Sequence, residues 1–184
     1  MLKEHLDIIY NYYPKGIRPS DIGYVNSPES IRQWQLIEKF RKTTGYFEAM
    51  AEEINNQLVC QNYQILSLRG IFDLCNKCIL FLPKNSLHED FPCCVINMSI
   101  VVKHYFIYFT KFLYDPVNTI TTGTITNAQK SVLDIIEKTI GLYYPGYTTF
   151  PMEYFDERVP EIFSSIAYDQ QATCFECLMT NDLL

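Results

Sequence analysis

The residues and motifs that usually announce chemistry are scarce in this chain. Glycine occurs seven times in 184 residues, at 16, 23, 45, 70, 123, 141 and 146. That spacing leaves no Gly-x-Gly-x-x-Gly, and there is no Gly-Lys-Ser/Thr, so a phosphate-cradling loop is excluded. No Gly-x-Ser-x-Gly elbow holds a serine nucleophile. Histidine occurs only at 5, 88 and 104. His88-Glu89 opens like a zinc-protease helix, but position 92 is Pro, so the motif fails. Cationic charge is also short: 15 Lys and Arg stand against 21 Asp and Glu, a net charge of −6. Binding phosphates takes clustered Lys and Arg, so nucleic acid is not the expected partner. Long apolar runs are missing too. The richest stretch, Cys93 to Tyr114, is broken by Lys103, His104 and Lys111. It falls short of the ~18 apolar residues of a membrane helix, and no membrane partner is expected.

What is present is an ordinary globular balance, 48% apolar and 20% charged, which argues against disorder. A chain of this length buries about 70% of the surface its unfolded form exposes, so it can hold a core without metals or disulfides. Length alone favours one domain. Aromatic content is high, with 14 Tyr and 12 Phe. Tyrosine is apolar with a polar tip, so some of these rings can sit at a surface and anchor a partner. Met1-Leu2-Lys3-Glu4-His5 has no apolar run behind it, so no secretory leader is expected. Seven cysteines, an odd number without scaffold spacing, read as reduced thiols in the cytoplasm.

Along the chain the hydrophobic period changes once. Residues 2–13 read as a helix with Leu2, Leu6, Ile9 and Tyr13 on one face, stopped by Pro14. Ser27-Pro28-Glu29 is a capped helix start, and Ile31, Trp34 and Ile37 follow at helical spacing. Thr43-Thr44-Gly45 breaks that helix, and another carries Phe47, Met50, Ile54 and Leu58. After Cys60 the texture turns to strands over 63–69, 74–82, 94–102 and 105–113. The last two form a hairpin turned at Lys103-His104, which leaves His104 facing solvent. Large side chains on both faces of 105–113 predict a strand covered on both sides. A helix over 127–140 ends at Gly141, a short helix lies near 158–167, and a last strand covers Thr173 to Met179. The fold class is therefore α+β: an antiparallel β-sheet packed against helices in a single domain. Tyr12-Tyr13-Pro14 and Tyr143-Tyr144-Pro145 each follow a helix and precede a glycine, which reads as shared helix-stop chemistry.

Two constellations carry potential chemistry. Cys75/Cys78 and Cys174/Cys177 are Cys-x-x-Cys units, and four thiolates can close a tetrahedral zinc site. Both units read as strands, where residues three apart face opposite sides, so no metal and no cofactor is expected. Asn97-Met98-Ser99 matches a glycosylation sequon, but on a strand it is a coincidence. The acidic pairs Glu52-Glu53 and Glu89-Asp90 and the stretch Glu153, Asp156, Glu157, Glu161 give either solvated faces or a docking surface for a basic protein. The candidate partner-binding residues are Tyr143, Tyr144, Glu153, Tyr154, Asp156 and Glu157, which fall in a predicted loop where rings and charges can stay exposed; the alternative is that the tyrosines pack the end of the 127–140 helix and the acids merely face water.

The opening quarter resembles a group of bacterial immunity proteins encoded beside polymorphic or contact-dependent toxins. The residues that carry the resemblance are Tyr12-Tyr13-Pro14-Lys15-Gly16-Ile17, Gly23-Tyr24, Ser27-x-Glu29 and the helix with Trp34. The resemblance implies a cytoplasmic, non-catalytic chain that neutralises a cognate protein toxin by stoichiometric binding. It transfers no functional residue. The competing class is an enzyme that uses Cys or carboxylate residues.

Overall fold

The computed structural model describes residues 2–43, 45–59, 64–66, 74–81, 91–112, 127–165 and 170–179. Helix α1 (Leu2–Tyr12) is stopped as its sequence requires, by Pro14 and by Gly16 at φ 69°. Helix α2 (Pro28–Arg41) starts at Ser27, whose side chain accepts the Ser30 amide at 3.1 Å. Helix α3 (Gly45–Val59) buries Phe47, Met50, Ile54 and Leu58, as the periodicity predicts. Strands β1 (Gln64–Leu66), β2 (Cys75–Phe81), β3 (Phe91–Ser99) and β4 (His104–Phe112) follow in order. They pair antiparallel as consecutive neighbours. Helix α4 (Asn127–Tyr143) leads to β5 (Thr148–Thr149), which adds to β4 in parallel and completes a five-stranded sheet. A 3-10 turn (Met152–Tyr154), β6 (Arg158–Phe163), β7 (Gln171–Thr173) and the short helix α5 (Cys174–Leu178) close the described chain. Strands β6 and β7 form a separate two-stranded sheet.

Both faces of the main sheet are covered, and the strand alternation sorts side chains between them. Ile79, Cys93, Val95, Phe106 and Tyr108 enter one core with α1, α2, β6, β7 and α5. Cys78, Leu80, Cys94, Ile96, Met98, Tyr105 and Phe109 enter the other with α3 and α4. This is why β3 and β4 are apolar at nearly every position rather than alternating.

Four local expectations are corrected. Strand β3 ends at Ser99, not at 102. The Ser99 hydroxyl accepts the amides of Val101 and Val102 at 3.4 and 3.3 Å, which curls the chain into a four-residue turn. Gly141 does not stop α4, which runs on to Tyr143. Of the segment near 158–167, Arg158–Phe163 form a strand, β6, where a helix is expected, and 166–167 lie outside the described residues. The stretch from Thr173 to Met179 is mostly α5, because Thr173 and Glu176 form a reciprocal capping box that nucleates a helix.

Helix α2 is rotated from the expected face. Ser30, Gln33 and Ile37 are buried, while Ile31 and Trp34 are 45% and 44% exposed. The helix is held against α1 by Arg32, whose Nε donates to the Asn11 carbonyl at 2.8 Å. A second Arg32 nitrogen pairs with Glu29 at 3.0 Å.

Candidate functional site

The six candidate contact residues divide into two groups. Tyr143 and Tyr144 end α4 and are half-buried against the α3–α4 core. Tyr46 of α3 meets both, with ring centroids at 5.5 and 5.8 Å, and Tyr144 meets Tyr147 at 5.2 Å. The Tyr147 hydroxyl donates to the Ser99 carbonyl at 3.2 Å. Burial pushes the Tyr144 phenol up to about 12, so it stays a neutral hydroxyl. This cluster packs the end of α4; only Tyr46 at 59% exposure presents most of its ring to solvent. Gly146 adopts φ 86° just beyond it, the same left-handed turn as Gly16 after Tyr13-Pro14. The echo between the two motifs is therefore one of helix stops.

The second group lies on and after the 3-10 turn. Glu153, Asp156 and Glu157 are exposed, as is Glu161, whereas Tyr154 is half-buried against the α1 core. Backbone bonds fix this acidic segment: the Cys174 amide donates to the Glu157 carbonyl at 2.8 Å, and the Gly16 amide to the Glu161 carbonyl at 2.8 Å. Glu161 holds φ 62°, a left-handed conformation unusual for a side-chain-bearing residue. It sits in the irregular stretch where β6 slips register against β7. The slip turns the Glu161 carbonyl to the Pro14–Gly16 turn and leaves its carboxylate in solvent. The Lys15 ammonium lies 3.6 Å above the Tyr10 ring in that turn.

The structure joins two histidines that the sequence reading had kept apart. His5 of α1 is buried, and its Nε2 lies 3.2 Å from Nε2 of His104, the first residue of β4. His104 is half-buried in the strand and does not face solvent from a turn. Phe150 and Tyr154 wall the pair, at 6.3 and 5.7 Å from the His5 ring. The tautomers follow from the partners. His104 Nδ1 lies 3.0 Å from Thr148 Oγ1 and 3.4 Å from the Thr148 carbonyl, and a carbonyl only accepts. Nδ1 therefore carries the proton, Nε2 of neutral His104 accepts, and His5 Nε2 donates to it. His5 Nδ1 is left as a buried lone pair without a hydrogen-bond partner. Burial lowers the pKa of both rings, and each cation would further disfavour a charge on the other. A proton added at His104 Nε2 would force the His5 proton onto Nδ1, where no acceptor waits. The pair is a neutral latch between α1 and the start of β4. Only two nitrogens converge, and among the described residues no group of three or more His, Cys, Asp or Glu could hold a metal ion.

The thiols are placed for packing. Cys75, Cys78, Cys93, Cys94, Cys174 and Cys177 are buried thiols. Cys75 and Cys78 occupy opposite faces of β2, as strand geometry requires. Cys174 and Cys177 depart from the expected strand: on α5 they are one helical turn apart and share a side, facing the core. Burial pushes Cys78 up to about 12 and Cys174 to about 11, and holds Cys94 and Cys177 well above the ordinary thiol value. A thiol so raised offers almost no thiolate at neutral pH, so it is a poor nucleophile and a poor ligand. Asn97 is fully buried, which closes the sequon to any glycosyl transfer in the folded chain. Of the remaining acidic pairs, Glu52 is exposed and Glu53 accepts from Gln57 at 2.7 Å. Glu89-Asp90 and His88 lie outside the described residues.

One exposed apolar surface was missed. The outer face of α2 carries Ile31, Trp34, Gln35, Glu38, Lys39, Lys42 and Thr43, which line an open depression of about 570 Å³. The signal in the sequence was Ser30 and Gln33: small and polar residues on the stripe through Ile37 form the helix's buried side and turn Trp34 outward. No helix of the described residues is long and apolar enough to cross a membrane. Comparison with protein-family models, with curated proteins and with solved structures finds no match to this chain.

Proposed function

We propose that this chain is a cytoplasmic, stoichiometric protein binder that neutralises a bacterial toxin domain, the role implied by its resemblance to immunity proteins. The observation that carries the reading is the division between inside and outside. Groups able to do chemistry, the described thiols and the His5–His104 pair, are inside, and burial holds Cys78, Cys94, Cys174, Cys177 and both imidazoles neutral. The exposed groups are amphipathic anchors and carboxylates, namely Trp34, Ile31 and Tyr46 with Glu153, Asp156 and Glu157. Large rings and aliphatics supply binding energy where a partner excludes water, and surface charge of one sign steers encounter. A cysteine enzyme would instead need an accessible thiol with a lowered pKa beside a base. The acidic balance fits a basic toxin, whose approach would slow as salt rises, because charges are screened beyond ~8 Å at physiological ionic strength.

Co-expression tests this. A toxin module encoded beside the gene is expressed with and without the chain, and cell survival and a one-to-one complex are measured. Survival only in the presence of the chain, with a recoverable complex, supports the reading. Equal killing in both cases, or no complex, removes it.

A further inference from the structure

We propose that the outer face of α2 is the docking site for an amphipathic helix of a partner protein whose apolar stripe is flanked by carboxylates. The inference rests on the reading of the chain as a protein binder and concerns one local contact, so an acid-flanked helix can belong to a partner whose net charge is basic; its test does not depend on the toxin.

The face is set by helical spacing. Ile31, Trp34, Gln35, Glu38, Lys39 and Lys42 recur three and four residues apart, so they share one side of α2. From Ile31 to Lys42 the face runs ~16 Å, the length of three turns of a partner helix. Its first half is apolar. Trp34 is the only tryptophan in the chain, and it and Ile31 stand nearly half exposed one turn apart. Tryptophan in a shallow apolar depression is the residue type that most often dominates a protein interface. The opposite side of α2 is already satisfied by Ser30, Gln33 and Ile37 against the core, so the outer stripe is not needed to hold the helix in place.

Charge selects the occupant. Glu38 is engaged by Arg41 three residues on, which neutralises both. Lys39 and Lys42 are then left with no carboxylate partner among the described residues. This rim is cationic on a chain of net charge −6. The helix dipole favours cations in a last turn, which accounts for the position of the two lysines. It does not account for the exposed Ile31 and Trp34 on the same stripe. Together the two features match the two halves of a helix-in-groove contact, an apolar anchor and a charged border. A basic helix would meet Lys39 and Lys42 with like charge, whereas an acidic one would be guided to them.

Because the chain has a single tryptophan on this face, its fluorescence reports occupancy directly. The probes are two synthetic helical peptides with the same leucine stripe, one flanked by glutamates and the other by lysines. At low salt the glutamate peptide should shift Trp34 emission and bind roughly fivefold tighter than the lysine peptide, the sum of two exposed ion pairs. Lys39→Glu with Lys42→Glu should invert that preference, and Ile31→Ser should weaken both peptides. No response of Trp34 to either peptide would overturn the proposal. So would equal affinity for both, or a concentration-dependent dimer in sedimentation that Ile31→Ser abolishes, which would assign the face to a second copy. A toxin complex in which Trp34 stays as open to acrylamide quenching as in the free chain would overturn this face as the docking site while leaving the binder reading intact. Peptide selectivity in a chain that fails to protect cells would support the face and remove the toxin.

Discussion

The two faces of the sheet are built in different ways. Against α3 and α4 the core is Phe, Met, Ile, Leu and Val, joined by two small thiols and Tyr105. Against α1, α2, β6, β7 and α5 the core is studded with polar groups. There, His5 meets His104, the Tyr13 hydroxyl donates to the Cys177 carbonyl at 3.0 Å, and Ser164 donates to Glu176 at 3.0 Å. Asn97 is wholly buried on that side of β3, in register with Lys77, which is 5% exposed. An apolar face holds its helices by area and shape, and many similar packings satisfy it. A polar face is selective, because every misplaced donor or acceptor loses its partner. The helical face therefore tolerates repacking, and the polar face fixes where α1 and the irregular segment after α4 sit.

That contrast can be broken by measurement. The largest loss is expected on the helical face, where Ile54 and Ile136 are fully buried. Ile54→Ala should destabilise the chain by about 3 kcal/mol in urea denaturation, through lost burial and a residual cavity. Tyr13→Phe, which removes one buried hydroxyl from the polar face, should cost about 1.5 kcal/mol. If Tyr13→Phe costs as much as Ile54→Ala, the division of labour between the faces is wrong.

The smallest effect is a pH dependence that only the polar face should show. His5 and His104 titrate below their ordinary value of 6.5 in the folded chain, chiefly because burial disfavours the cation. Well above pH 6.5 both rings are neutral in folded and unfolded chains, and they contribute no slope. As pH falls below 6.5, the unfolded chain takes up protons that the folded chain resists, so stability declines with acidification. The melting temperature should fall between about pH 6.5 and 5.5, and His5→Phe should flatten that fall. An equal slope in the variant would move the effect to other groups.

The sequence made the helical face legible and the polar face much less so. Phe47, Met50, Ile54 and Leu58, like Val132, Ile136 and Ile140, follow a period of 3.6 that a core imposes on any helix packed on a sheet. The doubly covered strands were visible in their continuous apolar runs. Three of the misread segments lie where capping or side-chain hydrogen bonds override hydrophobic pattern. Ser99 curled the chain before the expected turn, Thr173 and Glu176 converted a strand-like run to helix, and Ser30 and Gln33 turned α2 over. Among the candidate contact residues, the carboxylates were rightly placed in solvent, but Tyr143, Tyr144 and Tyr154 pack against cores. Tyrosine is amphipathic, so composition alone does not say which end of it will be dry. The pairing of His5 with His104 spans 99 positions and leaves no local trace at all.

The ties of α1 also impose an order on synthesis. Three of these ties reach far along the chain: Tyr10 to the Pro160 carbonyl, Tyr13 to the Cys177 carbonyl, and Gly16, just after the helix, to the Glu161 carbonyl. As the polypeptide leaves the ribosome, α3, the four antiparallel strands and α4 can assemble once residue 143 has emerged. Helix α1 can meet α2 at once and His104 when β4 has formed, but its ties to β6 and α5 close only after residue 177 has emerged. Contacts of such long sequence separation are slow to close and leave a nascent chain exposed to aggregation. Removing residues 158–179 would thus be felt at α1 and the turn after it, which would lose the Pro160, Glu161 and Cys177 carbonyls.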